Sequence, residues 1–252
     1  MILIKSKREI EKIRDACRIV AKVLELMKVH VKPGISTLEL NSIAEDYILT
    51  NGGRSAFKDY TTRGLPKFPS AICTSVNSCI VHGIPSERQV LKEGDIISID
   101  VGVELNSYFG DAAVTLPVGK ISDENEKLLR ITKEALEIGI SNAKYGNSIG
   151  DISYAIGEYV VRNGFYPAEN LTGHGVGRFL HEEPSIPNFG IKGAGHFIKK
   201  NMTLAIEPMV NIGTSKVVAR EWEFFTESNK SSAHFEHTVL ITDQNPEILT
   251  LI

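Results

Sequence analysis

The chain reads as helix, helix, strands, and then as helix, helix, strands again, and this repetition limits its folds more than any other feature. Ser6-Lys-Arg-Glu9 has the form of a capping box, and apolar residues follow at helical spacing: Ile10, Ile13, Cys17, Val20, Leu24 and Met27. Pro33-Gly34 stops that pattern. Ser36-Thr-Leu-Glu39 opens a second helix, which ends at Asn51-Gly52-Gly53. From residue 54 to 121 the pattern is β-type, with runs at Ile72–Val81, Ile96–Val103 and Ala112–Val118. A long helix follows Ser122 and a shorter one starts at Ser148. Strand-like runs then recur at Thr203–Ile206, Val217–Ala219 and Phe235–Thr242. Shifting the chain by 112 positions lays Lys32-Pro-Gly34-Ile-Ser36 on Lys144-Tyr-Gly146-Asn-Ser148, and Asn51-Gly52 on Asn163-Gly164. A shift of 107 lays Leu91–Asp100 on Ile198–Glu207, and one of 125 lays Asp111–Leu116 on Glu236–Ile241. Identities are few, but end signals and embedded acids match in the same order. The expected fold class is α+β: one domain over 1–252, with an internal repeat at roughly 1–121 and 122–252, centred on a sheet.

Composition narrows the function. An apolar fraction of 42% is too high for a disordered chain. No apolar run approaches the ~20 residues that span a bilayer. A net charge of −3 argues against gripping phosphate backbones, so no nucleic-acid partner is expected. Three cysteines, Cys17, Cys73 and Cys79, give neither a disulfide framework nor a zinc spacing. The N-terminus lacks the apolar core and cleavage site of a signal peptide, so a reduced, cytoplasmic setting is expected.

Four carboxylates lie inside apolar, strand-like segments: Asp100, Asp111, Glu207 and Glu236. Burying an unpaired carboxylate costs several kcal/mol or forces protonation. With a turn tip at Leu105-Asn106, Asp100 and Asp111 become directly opposed cross-strand partners, their Cβ atoms ~5 Å apart. Like charges at that distance repel, and a divalent metal removes the conflict. The plainer alternative is an edge hairpin whose acids face water; it accounts for one acid better than for four in matched positions. Glycine- or proline-rich loops add His82, His174 and His181. Oxygen-rich donors with one imidazole suit Mn, Fe, Co or Zn in an open site, not a closed Cys-rich zinc. Two metals would need a bridging carboxylate and a spacing of ~3.5–4 Å.

Other motifs fail on context. Gly146-Asn-Ser148-Ile-Gly150 matches the serine-hydrolase elbow, but a helix precedes it where a strand is required, so Ser148 reads as an N-cap. Gly173–Gly177 is not the dinucleotide fingerprint, no P-loop is present, and His181-Glu-Glu-Pro184 is not H-E-x-x-H.

Six motifs together closely resemble the type 1 methionine aminopeptidases, over nearly the whole chain. They are Asn77-x-x-x-x-His82-Gly-Ile-Pro85, Asp100-Val-Gly, Gly110-Asp111-x-Ala-Val-Thr115, Gly173-His174-Gly-Val-Gly-Arg-x-x-His181-Glu-Glu-Pro184, Ile206-Glu207-Pro208 and Glu236-His-Thr-Val. The resemblance implies the pita-bread fold, with pseudo-twofold halves around a curved antiparallel sheet. It implies two divalent metal ions: Asp100 on one, His174 and Glu207 on the other, Asp111 and Glu236 bridging. A metal-activated water would attack the scissile carbonyl, with Glu207 handling the proton and His82 and His181 contacting substrate and stabilising the tetrahedral intermediate. Cys73, Phe68 and Trp222 are the counterparts of the family's methionine pocket, and Leu180 stands where many relatives carry Phe. The implied activity is removal of initiator methionine from nascent polypeptide N-termini with a small second residue, by a cytoplasmic monomer that touches no membrane and associates transiently with the ribosome. The start of the chain at the first helix and the 29 positions from Glu207 to Glu236 point to the short bacterial-type form.

Two rivals stay open at this level. One is a relative that cleaves before proline; such enzymes usually add an N-terminal domain and a second His after the Gly-His-Gly motif, where this chain has Arg178. The other is a binding module that has kept the fold, which would commonly have lost ligands.

Overall fold

The computed structural model describes residues 2–251. The first half runs α1 (Lys7–His30), α2 (Thr37–Thr50), β1 (Arg54–Ser55), β2 (Cys73–Val76), β3 (Cys79–Val81), β4 (Ile96–Leu105) and β5 (Tyr108–Pro117). It continues with α3 (Asp123–Asn142), α4 (Ile149–Arg162), β6 (Tyr166–Pro167), β7 (Thr172–Gly175), β8 (Glu182–Pro187), β9 (Thr203–Ile206) and β10 (Met209–Asn211). Last come β11 (Val217–Arg220), β12 (Glu223–Thr226), β13 (Ser232–His234), β14 (His237–Leu240) and β15 (Glu247–Ile248). No described helix is long and apolar enough to cross a membrane.

Local chemistry fixes the helices where the sequence places them. Ser6 with Glu9, Ser36 with Glu39 and Ser148 with Asp151 form reciprocal capping boxes, and Ser122 caps α3. The apolar stripe of α1 is buried, from Ile10 to Met27. Helices α1 and α2 cover β4 and β5 around Val20, Leu24, Leu40, Ile97 and Val101. Helices α3 and α4 cover β9, β10 and β14 around Leu128, Ile131, Ile152, Leu204 and Val239.

Every ladder is antiparallel. Strands β1 and β2 sit end to end on one edge of β4, and β5 pairs with the other edge. A second sheet runs β15-β14-β9-β7-β8; two three-stranded sheets, β13-β10-β6 and β11-β12-β3, complete the framework. The two larger sheets meet where Glu236 and Ala113 exchange backbone hydrogen bonds, at 2.9 and 3.4 Å. Residues 100–113 thereby come beside 234–238, although more than 120 positions separate them in the chain.

The hairpin register differs from the sequence expectation. The turn tip is Asn106-Ser107, both with positive φ, so Asp100 faces Ala113 and Asp111 faces Gly102. Asn adopts that backbone readily and Leu does not, which moves the tip one residue along. The slip changes each partner by two positions, so the side-chain face is kept. Asp100 and Asp111 are therefore diagonal neighbours, not a directly opposed pair, and their carboxyls still meet.

Candidate active site

A cavity of about 330 Å³ opens where the sheets converge. All eleven residues singled out from the sequence line it: Phe68, Cys73, His82, Asp100, Asp111, His174, Leu180, His181, Glu207, Trp222 and Glu236. Their local settings are less uniform than the sequence suggests. Asp100 and Asp111 do lie mid-strand, but Glu207 follows the last residue of β9 and Glu236 precedes the first of β14. His174 is not in a loop: it sits on β7, paired with Ala205 of β9. Gly173 permits this close ladder, since a Cβ there would lie 2.4 Å from the Ala205 carbonyl oxygen, and Gly175 permits the approach of β8, where a Cβ would lie 2.5 Å from the Glu183 carbonyl oxygen. His82 follows β3 with φ of +59°, and His181 precedes β8.

At the acidic end, His174 Nε2 is 3.4 Å from Glu207 Oε1 and 4.0 Å from Asp111 Oδ2. Its Nδ1 lies 2.9 Å from the Gly175 carbonyl oxygen, which orients the ring and directs Nε2 at the acids. Asp111 and Glu236 are buried, and Asp100 and Glu207 are partly so. Burial pushes the Asp100 carboxyl up to about 7. Asp111 and Glu236 are held well above the carboxylate range by burial and then by the neighbouring acids, and Glu207 by burial. Burial also pushes His174 down to about 3 and His82 down to about 4, so both rings are neutral near pH 7.

These acids lack the partners that would justify their burial. Asp100 Oδ1, Asp111 Oδ1 and Glu236 Oε1 are enclosed and accept no hydrogen bond. Asp111, His174 and Glu236 each offer a donor atom within 4.8 Å of the others, as do Glu207, His234 and Glu236. Orphaned carboxylate oxygens beside neutral imidazole fit a divalent cation.

The opposite end is aromatic. Trp222 meets Phe68 edge-to-face at 5.6 Å between centroids and donates its indole N–H to the Pro66 carbonyl at 2.8 Å. Cys73 packs with them, and burial holds its thiol well above its ordinary value. Leu180 is buried against the cavity. Tyr60 places its hydroxyl 3.0 Å from His181 Nδ1. The turn carrying Leu180 and His181 is anchored from behind: Glu182 Oε1 accepts the Arg178 and Phe179 N–H, and Oε2 accepts from the buried Lys5 ammonium at 2.5 Å. Ser148 lies outside the cavity as a helix cap, consistent with its reading as an N-cap.

Sequence reading missed His234 and Tyr60. His234 is 1% exposed, with Nε2 3.3 Å from Glu207 Oε2. A signal for it existed: two positions before Glu236, an extended backbone puts both on one face. Tyr60 carries no comparable signal, because it comes from a loop whose path only the fold fixes.

Residues 11–243 match Metallopeptidase family M24. Full-length relatives include methionine aminopeptidase 1 of Bacillus subtilis, 48% identical over 100% of both chains, and the methionine aminopeptidase of Clostridium acetobutylicum, 45% identical over 100% of this chain and 99% of that one. Among solved structures, the methionine aminopeptidase of Thermotoga maritima superposes with a TM-score of 0.97 at 42% identity, each chain covered in full. A prolidase from Pyrococcus furiosus reaches 0.80 at 25% identity, covering 99% of this chain and 65% of that one. Fold and family match agree on the class: the chain belongs to metallopeptidase family M24, with its pita-bread fold, and it uses a divalent metal. Within that family it falls among the methionine aminopeptidases of the bacterial type 1 form.

Proposed function

We propose that the chain removes the initiator methionine from nascent polypeptides whose second residue is small and uncharged. One observation carries this reading: a single cavity joins four carboxylates and an imidazole to an apolar end built from Phe68, Cys73 and Trp222. Asp100, Asp111, His174, Glu207 and Glu236 would hold two divalent ions from among Co, Mn, Fe and Zn. Once bound, the ions supply Lewis acidity and a water made acidic near pH 7. Phe68, Cys73, Leu180 and Trp222 would receive the methionine side chain and exclude solvent. His82 and His181, both neutral, would donate N–H to the substrate carbonyl as charge develops on it. With His181 Nδ1 engaged by Tyr60, Nε2 is the nitrogen left for that task. Glu207 would take the water's proton on its carboxylate and pass it to the leaving amine.

We further propose 1–252 as one catalytic domain of two related halves, working as a cytoplasmic monomer with transient ribosome contact. The test is methionine release from Met-Gly, Met-Ile and Xaa-Pro peptides with added Mn²⁺ or Co²⁺. Turnover of Met-Gly alone is expected. No turnover of Met-Gly refutes the activity, equal turnover of Met-Ile refutes the selectivity, and preference for Xaa-Pro favours the proline-cleaving reading.

A further inference from the structure

His234 is the one imidazole at the acidic end that the five-residue donor set does not use. Its ring is almost fully enclosed, and neither nitrogen has a hydrogen-bond partner. Nε2 lies 3.3 Å from Glu207 Oε2 and 3.9 Å from Glu236 Oε2. The Glu207 carboxylate thus stands between two imidazoles, with His174 Nε2 at Oε1 and His234 Nε2 at Oε2. An unpartnered ring buried beside acids needs a reason, since enclosing a polar group without a hydrogen bond is unfavourable.

The backbone of His234 is pinned independently of its ring. Its N–H donates to Thr115 Oγ1 at 2.8 Å, the Thr115 hydroxyl donates back to its carbonyl at 2.9 Å, and β13 pairs it with Met209. Thr115 is on β5, the strand that carries Asp111. The hydroxyl clamp therefore fixes where the ring starts relative to the acids, with Nε2 on the Glu207 side.

We propose that His234 is a positioning residue of the metal centre: its Nε2–H holds Glu207 Oε2, so that Oε1 faces the ion shared with His174. Carboxylate ligands are commonly oriented by such an outer partner, and removing one typically costs ~10–100-fold in metal affinity or activity. The inference rests on the metal site proposed above. His234 supplies the N–H and does not itself bind the ion.

Two substitutions of similar volume separate a donor from a filler: His234→Gln keeps an N–H and His234→Leu does not. Metal affinity is read by titration calorimetry with Mn²⁺ and Co²⁺, and folding by circular dichroism. The leucine variant should bind ~10–100-fold more weakly, with glutamine restoring affinity to within about threefold of the wild type. His234→Ala takes the place of leucine if that variant does not fold. Equal affinity in the leucine (or alanine) and glutamine variants overturns the inference while leaving the metal site intact. In the Co²⁺-loaded protein, paramagnetically shifted imidazole N–H signals count the bound rings. A signal from a coordinated His234 that glutamine abolishes makes the residue a ligand and overturns the positioning role. A wild type that takes up no ion overturns the metal site and this inference together.

Discussion

Gly173→Ala tests how the β7–β9 ladder sets the metal centre. The new Cβ would lie 2.4 Å from the Ala205 carbonyl oxygen and 3.3 Å from Glu207 Cγ, whereas real Cβ atoms essentially never come within 3.0 Å of another atom. Raising 2.4 Å to 3.0 Å moves β7 by at least about 0.6 Å. Losing a glycine alone would stabilise the chain by ~0.4–1 kcal/mol through the unfolded state. Overpacking against a ladder costs ~1–3 kcal/mol, and the obstacle is backbone, which cannot turn aside, so destabilisation wins. A net of ~1–2 kcal/mol lowers the melting midpoint by ~2–8 °C for a chain of this size. The functional effect should be larger, because His174 is the next residue and functional donors must hold to within ~0.5 Å. We expect at least ~10-fold weaker metal binding by calorimetry, and a fall in kcat/KM for Met-Gly peptides that excess metal partly restores. A variant that melts within about 1 °C of the wild type and binds metal equally would refute the argument from close strand approach.

Other perturbations separate charge, anchoring and capping. The Asp100 carboxyl is raised to about 7, so in the metal-free protein its contribution to stability is lost as pH rises from ~4 to ~7. Buried imidazoles slope the other way, so the comparison is with Asp100→Asn. Metal-free Asp100→Asn should be more stable than the wild type in urea titrations at pH 7, the gap closing toward pH 4; a gap that widens on acidification contradicts this. Asp111→Asn should stay folded but lose metal by elemental analysis and activity with it, and full activity would exclude a bridging role. Lys5→Met leaves Glu182 buried with only the loop N–H groups, and should cost ~3 kcal/mol, a drop of ~6–12 °C. An unchanged melt would show the pair to be dispensable. Ser148→Ala should lose ~1 kcal/mol of helix capping and keep its activity; abolished turnover in a folded protein would revive the nucleophile reading.

Much of the fold was legible because its signals are local. Capping serines, glycine stops and the apolar stripe of α1 involve residues close in the chain, and the structure places all four helices within a few residues of those signals. Embedded carboxylates flagged the site for a similar reason: an acid in an apolar run is anomalous without any knowledge of its neighbours. The hairpin register was misjudged because it hinges on which residue accepts a positive φ, and Asn106-Ser107 outcompeted Leu105-Asn106.

By itself, the sequence determined the four helices and the main β-type segments between them, the acids that require compensation, and, through its motifs, the family. Only the tertiary structure decided how those acids meet. Glu236 and Ala113 bond backbone to backbone across 123 positions, and that junction sets Asp100 of β4 and Asp111 of β5 beside Glu236, His174 and Glu207 in one cavity. It also revealed the His234 ring at Glu207 and the Lys5–Glu182 anchor behind His181. Such contacts join residues distant in the chain, and no periodicity or cap records them, because their energy exists only once the sheets have packed.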